Sequence, residues 1–190
     1  MSPSHPATRR ALLTVGAGLA SAALISVRPA RAEATRAEID REVAAAVAHL
    51  HGMANAAPLF QHANAVLVFP RIIAGGFIIG GQYGEGALLR GSATQGYFNI
   101  AGASFGFLAG AQTSGLAMFF MNDASLAMLM RTEGWEIGTG PSVTFLDRGV
   151  QANVTSSTLR EPIYAITFSQ QGLMAALALN GTKITRISPA

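Results

Sequence analysis

The feature that most constrains this chain is a dense run of glycine between residues 75 and 115, which holds twelve of its 21 glycines. Glycine is unfavourable in a helix interior. The segments between the glycines are aromatic or β-branched, as strands prefer, and they lie at 77–79, 97–100, 104–107 and 116–121. The pattern predicts short antiparallel strands joined by tight bends.

Helical periodicity is found mainly before this region. Apolar residues recur at steps of three and four through 34–53 and form one face: Ile39, Val43, Ala46, Val47, Leu50 and Met53. Two more short helices are predicted at 55–62 and at 124–131, the latter with an N-cap in 121–123. Further strands are predicted at 65–69, 143–146, 163–168, 173–179 and 183–187. The expected fold class is α+β, with N-terminal helices packed on a curved, mainly antiparallel, glycine-rich sheet that could be barrel-like.

The first 32 residues have the pattern of a twin-arginine signal peptide. Arg9 and Arg10 precede 17 uncharged residues, and Ala30-Arg31-Ala32 supplies the small residues of a cleavage site. A membrane anchor is the alternative, but 17 residues rich in Ala and Gly are marginal for spanning a bilayer. We therefore expect a signal peptide at 1–32 and a single domain at 33–190, located in the periplasm or cell envelope.

Charge argues against a nucleic-acid partner. The isoelectric point near 10 owes much to the four arginines of residues 1–32, without which nine basic and ten acidic residues remain, net −1. A body with scattered arginines has no basic stripe to neutralise phosphates. The chain also has no cysteine, which excludes disulfides, thiolate metal sites, a cysteine nucleophile and lipid attachment through an N-terminal cysteine.

A second uncharged stretch, residues 91–122, is long enough to suggest a membrane-embedded form. Gln95, Asn99, Gln112 and several glycines interrupt it. A buried sheet of a soluble domain is therefore the preferred interpretation.

One motif suggests a hydrolase, because Gly102-Ala-Ser104-Phe-Gly106 matches the G-x-S-x-G nucleophile pattern. That site needs a strand-to-helix turn and a histidine base, usually later in the chain. All four histidines precede Ser104, and both flanking segments have strand character. We therefore predict no catalytic residue and no enzyme activity.

The sequence also lacks the grouped side chains that metal binding or acid–base catalysis would need. His49 and His51 point about 200° apart on a helix, so they cannot share a metal ion from one face. Glu85 lies between two glycines and has no second carboxylate beside it in the sequence. Its expected structural role is to cap a turn or to pair with Arg71 or Arg90. No metal site and no cofactor are predicted.

Several motifs together resemble the SYLF domain, a lipid-binding family. They occur in order along the chain: Phe69-Pro70, residues 76–88 with Gly84-Glu85-Gly86, 102–106, Gly110-Ala-Gln112, 120–122, 140–143, Gly172-Leu-Met174, and Asn180-Gly-Thr-Lys-Ile184. The resemblance implies phosphoinositide binding and, in yeast, actin binding for eukaryotic relatives, and phospholipid binding or an envelope role for exported bacterial ones. Actin is therefore not expected as a partner. The family's usual Lys is Ala74 here, and Arg71 is the nearby cation.

These observations predict a non-enzymatic phospholipid-binding protein that meets a membrane surface. A structural or envelope-assembly protein that acts through self-association is the alternative, and the sequence leaves the oligomeric state open. Nine residues are candidate lipid contacts: Ile39, Val43, Val47 and Leu50 on the first helix, Phe77 and Tyr83 in the glycine-rich region, and Arg71, Glu85 and Arg90 as charged neighbours. For the helix, the competing interpretation is that these residues only pack against the sheet.

Overall fold

Two long strands, paired along almost their whole length, organise the fold. In the computed structural model, which describes residues 34–131, 134–146, 159–171 and 181–190, β1 spans Ala65–Arg90 and β2 spans Ala93–Phe120. They form one antiparallel hairpin that reverses at Gly91 and Ser92. The prediction of several short strands with tight bends is therefore wrong for this region.

The irregularities in this region bend the hairpin and do not end its strands. Register shifts occur between Phe69 and Ile72, between Gly76 and Ile78, and between Leu88 and Leu89. At such a bulge an extra residue kinks one strand while pairing continues on both sides. Bulges and turns both favour glycine, so the sequence pattern alone could not separate them.

The described strands form a six-stranded sheet that curls into a half-barrel. β2 pairs with β1 along one edge, and along its other edge with β5 (Ile163–Gln171) and β6 (Lys183–Ile187). β3 (Trp135–Glu136) extends the sheet beyond β6, and β4 (Val143–Phe145) pairs in parallel with β5. The other described pairings are antiparallel, so the prediction of a mainly antiparallel, curved sheet is confirmed.

Two glycines allow β1 to fold over its own beginning. A Cβ atom on Gly84 would lie only 2.7 Å from the carbonyl oxygen of Arg71. One on Gly86 would overlap the carbonyl group of Val68 and contact the ring of Phe69. Since no side chain fits at either place, Gly84 and Gly86 permit the contact that gives the sheet its curl.

Helix α1 (Arg36–His51) begins at a capping box. The Thr35 hydroxyl accepts the Glu38 N–H at 3.3 Å, and the Glu38 carboxylate accepts the Thr35 N–H at 2.9 Å. The first turn also bonds to residues near 190, because Arg36 donates its backbone N–H to Ala190 at 3.1 Å and its Nε to Pro189 at 2.8 Å. The predicted helix over 34–53 is confirmed.

The apolar stripe of α1 packs on one face of the sheet. The buried cluster there includes Ile39, Val43, Leu50, Val66, Val68, Phe119 and Ile166. The opposite face carries a second cluster, which includes Leu67, Phe69, Leu88, Phe98, Met118 and Trp135. Consecutive residues of β1 alternate between these clusters, as strand geometry requires.

The two remaining described helices are short. α2 (Ala57–His62) follows α1, and α3 (Asp123–Arg131) lies between β2 and β3 with Asn122 Oδ1 accepting the Ser125 N–H at 2.8 Å. Both are close to their predicted bounds, although α3 shows that the helices are not confined to the N-terminal part. The predicted strand at 173–179 and the predicted signal segment at 1–32 lie outside the described residues. No helix in the described ranges is both long enough and apolar enough to cross a membrane.

Candidate functional site

Helix α1 has a groove along each of two sides. The hairpin groove, about 690 Å³, lies between α1 and the turn end of the β1–β2 hairpin, and it is lined by residues that include Asp40, Val43, Val47, His51, Leu89 and Thr94. The ion-pair groove, about 430 Å³, lies between α1, β1 and β5, and it is lined by residues that include Glu42, His49, Pro70, Arg71, Phe168 and Ser169. The two grooves differ in chemistry.

The hairpin groove is mainly apolar. Val47 and Leu89 are half-buried in its wall, and Val43 is buried beneath them. Ala44 and Ala48 also line it, and these exposed small residues leave the space between helix and hairpin open. A groove with this lining can hold an extended hydrocarbon segment.

Asp40 fixes one wall of the hairpin groove. Its Oδ2 accepts the Tyr97 hydroxyl at 3.0 Å and its Oδ1 accepts the Thr94 hydroxyl at 3.4 Å. Burial raises the pKa of Tyr97, and the hydrogen bond to Asp40 and the charge of that carboxylate raise it further. The carboxylate therefore joins α1 to β2. Its hydrogen bond to Tyr97 requires the protonated form of the tyrosine hydroxyl.

His51 holds a second position in the hairpin groove. Its ring stacks on Phe60, with centroids 4.1 Å apart, and Phe60 meets the edge of Phe119 at 5.0 Å. These ring contacts orient a side chain that is otherwise exposed.

The ion-pair groove contains a cationic side chain, Arg71, and an anionic one, Glu42. Arg71 Nη2 lies 3.3 Å from Glu42 Oε1, and the two side chains are 43% and 45% exposed. Arg71 follows Pro70 at the first bulge of β1, where a residue without an N–H is tolerated. The ring of His49 lies 6.1 Å from that of Phe168, and Ser169 has a left-handed backbone with φ of 49°.

Tyr83 and Glu85 lie together at a third position. The Tyr83 side chain is 44% exposed, and its hydroxyl donates to Glu85 Oε1 at 2.7 Å. Glu85 Oε2 accepts the backbone N–H of Ala34 at 3.1 Å. The expected pairing of Glu85 with Arg71 or Arg90 is corrected here, because both arginines have other carboxylate partners and Glu85 instead anchors the chain just before α1.

Arg90 pairs with Asp123 at 3.2 Å, and the same Asp123 oxygen accepts Asn64 Nδ2 at 3.0 Å. This pair joins the end of β1 to the start of α3. Phe77 belongs to β1, and its side chain lies outside the described part of the structure.

The nine predicted contact residues do not converge on one site. Ile39, Val43 and Leu50 are 3%, 2% and 0% exposed, because they face the sheet. Val43 and Val47 border the hairpin groove, whereas Arg71 borders the ion-pair groove. Sequence reasoning missed Asp40, Glu42 and Leu89. The alanines at 44, 45 and 48 were the available signal, because small residues beside an apolar stripe leave grooves along a helix.

The other motifs considered form no catalytic arrangement among the described residues. Ser104 lies within β2 and has strand on both sides, so its backbone lacks the strand-to-helix turn of a nucleophile elbow. In the described ranges, no three His, Asp or Glu residues come together in a way that could hold a metal ion.

Comparison with known families gives a match over the second half of the chain. Residues 101–189 match the family model Ysc84, described as "Las17-binding protein actin regulator", which corresponds to the SYLF domain. No curated protein matches the chain. The match begins inside β2, so α1, α2 and β1 precede it. The family binds lipids in general and is not enzymatic. Over residues 101–189, the predicted resemblance to the SYLF domain family is therefore confirmed.

Proposed function

We propose that the protein is a non-enzymatic phospholipid-binding protein of the periplasm or cell envelope, and that an acyl chain occupies the hairpin groove. The observation that carries this proposal is the apolar lining that α1 and the hairpin share, through Val43, Val47 and Leu89. The groove volume of about 690 Å³ lies within the range of roughly 300–1,000 Å³ that is typical of small-molecule sites.

Apolar burial supplies the main binding free energy in this proposal. Each methylene transferred from water into the groove contributes about 0.8 kcal/mol. Residues 33–190 have a net charge of −1, so attraction of the whole domain to an anionic membrane surface is weak. Binding is therefore expected to change little between low and high salt, because salt screens charge contacts and not apolar burial.

Export is the second part of the proposal. It is supported by Arg9 and Arg10, the uncharged run behind them and the Ala30-Arg31-Ala32 site. In that location the available lipids are the phospholipids of the envelope, and actin is not a partner.

Vesicle flotation of the purified exported protein tests the lipid proposal. Ala48→Phe fills the hairpin groove from an exposed helix position, so it should reduce binding without loss of stability. Ala37→Phe makes the same change at an exposed position of α1 that does not line the groove, and it should bind as the wild type does. Unchanged binding by Ala48→Phe would remove the hairpin groove as the site. A wild type that floats with no vesicle would remove lipid binding itself.

A structural role through self-association is a second candidate, supported by the edge of the sheet. β1 pairs with β2 on one side, and no described strand pairs with its other side. Ile73 and Tyr83, both on β1, are 41% and 44% exposed. An unpaired edge with exposed apolar side chains can add a strand from another copy. Light scattering across a concentration series distinguishes this role, because a lipid-binding monomer keeps a constant mass.

A further inference from the structure

The ion-pair groove offers both a cation and an anion to a ligand. Arg71 and Glu42 contact each other at 3.3 Å, yet each side chain is nearly half exposed. An ion pair this accessible to water contributes little to stability, because solvent screens it and ordering the two side chains is costly. The pair can therefore open and exchange its internal contact for contacts to a bound molecule.

The arginine shares its groove with two other polar residues. His49 and Ser169 line the same groove as Arg71. An arginine guanidinium suits phosphate oxygens because its planar fork can donate two parallel hydrogen bonds. Ser169 lies at a bulge of β5, where residues 169 and 170 face one residue of β2, and its left-handed φ of 49° belongs to that bulge.

We propose that the ion-pair groove binds a zwitterionic headgroup in which a phosphodiester is linked to a primary ammonium, as in phosphoethanolamine lipids. Arg71 binds the phosphate and Glu42 binds the ammonium. The short ethanolamine spacer keeps the two ligand charges close together, as two neighbouring side chains of opposite charge require. This inference rests on the proposed lipid-binding function and names the class of lipid.

Charge complementarity favours this headgroup over two others. The Arg71–Glu42 pair is neutral as a unit, so it matches a zwitterion, whereas a purely anionic headgroup would meet the repulsion of Glu42. A quaternary ammonium has no N–H to donate to Glu42, and proteins usually recognise it with the faces of several aromatic rings. Phe168 and the imidazole of His49 are the rings that line this groove, and the phenyl ring of Phe168 is almost fully buried.

Flotation with vesicles of three compositions tests the inference. The vesicles contain phosphatidylcholine alone, or with an equal fraction of phosphatidylethanolamine or of phosphatidylglycerol. The wild type should bind several-fold better to the ethanolamine vesicles than to the other two. Glu42→Gln and Arg71→Gln should each abolish this preference, and the exchange Glu42→Arg with Arg71→Glu should restore part of it because the zwitterion can bind in the reverse direction.

Arg90→Gln is the matched control, since Arg90 also forms an exposed ion pair, with Asp123 at 3.2 Å. It should leave the preference unchanged. Loss of the preference in Arg90→Gln to the same extent, or its retention in both groove variants, overturns the inference while lipid binding stands. A wild type that binds all three vesicles equally also overturns it. A wild type that binds none contradicts the proposed function first.

Soluble competitors separate the headgroup from its phosphate alone. Glycerophosphoethanolamine carries both charges without acyl chains, and it should displace the wild type from ethanolamine vesicles at concentrations where inorganic phosphate does not. Equal displacement by phosphate overturns the inference, because phosphate has no ammonium for Glu42.

Discussion

The hydroxyl of Tyr97, in β2, donates a hydrogen bond to Oδ2 of Asp40, in α1, at 3.0 Å. The two residues lie 57 positions apart in the chain, so this bond ties the first helix to the central strand. Thr94 adds a second bond to the same carboxylate, at 3.4 Å. The position of α1 in the wall of the hairpin groove therefore depends on Tyr97 in its protonated, neutral form.

Alkaline pH should release this bond. Burial, and then Asp40, raise the pKa of Tyr97 above its usual value of about 10. A raised pKa means that the folded state favours the protonated form, so the stabilisation is complete below pH about 10 and is lost as the pH rises through the folded pKa. Unfolding in urea at a series of pH values should show this loss in the wild type, and Tyr97→Phe should lack that component. Parallel pH profiles for both proteins would contradict the assignment.

Substitution of Gly86 tests the curl of the sheet. A methyl group there overlaps the Val68 carbonyl group, so Gly86→Ala should destabilise the fold by about 1–3 kcal/mol or more in urea unfolding. Gly81→Ala is the control within the same strand, because the nearest atom to its Cβ, the Gly102 carbonyl oxygen, is 3.8 Å away. Equal stability of the two variants would show that the close approach of the two halves of β1 is wrong.

Loss of the capping box should weaken the start of α1. Thr35→Ala removes the acceptor of the Glu38 N–H and should cost about 1 kcal/mol. Thr35→Ser keeps a hydroxyl at the N-cap and should have nearly wild-type stability. The comparison is made by thermal unfolding, and a Thr35→Ser variant as unstable as Thr35→Ala would show that the hydroxyl is not what matters.

Export is tested by the double variant Arg9→Lys with Arg10→Lys. The twin-arginine route requires the arginine pair, so the variant should accumulate as uncleaved precursor inside the cell. N-terminal sequencing of the exported wild type should begin at Glu33. Normal maturation of the double variant would assign export to another route.

The helices could be predicted from the sequence because their signals are local. The stripe from Ile39 to Leu50 repeats at helical steps, and the Asn122 cap precedes α3 directly. The extent of the hairpin could not be predicted in this way. The roles of Gly84 and Gly86 depend on the backbone of Val68 and Arg71, well over ten residues earlier, and no local window contains that contact.

The residues of the candidate site also divide into those with a local sequence signal and those that depend on distant contacts. Val43, Val47 and Arg71 are predicted lipid contacts from their residue types and positions, and each lines a groove. The partner of Arg71 was missed, because Glu42 lies 29 residues away on a different element. Glu85 drew attention through its two glycine neighbours, yet its contact with Ala34 depends on where α1 begins.

The bonds between Arg36 and residues 189–190 bear on when the domain can finish folding. The two ends of the Arg36–Pro189 bond are 153 positions apart, so a ribosome exposes the start of α1 long before its partners. During that interval β6 is also missing from its place beside β2. A translocation route that accepts only folded cargo must therefore wait until residue 189 has left the ribosome, whereas a route that threads an unfolded chain has no such waiting time.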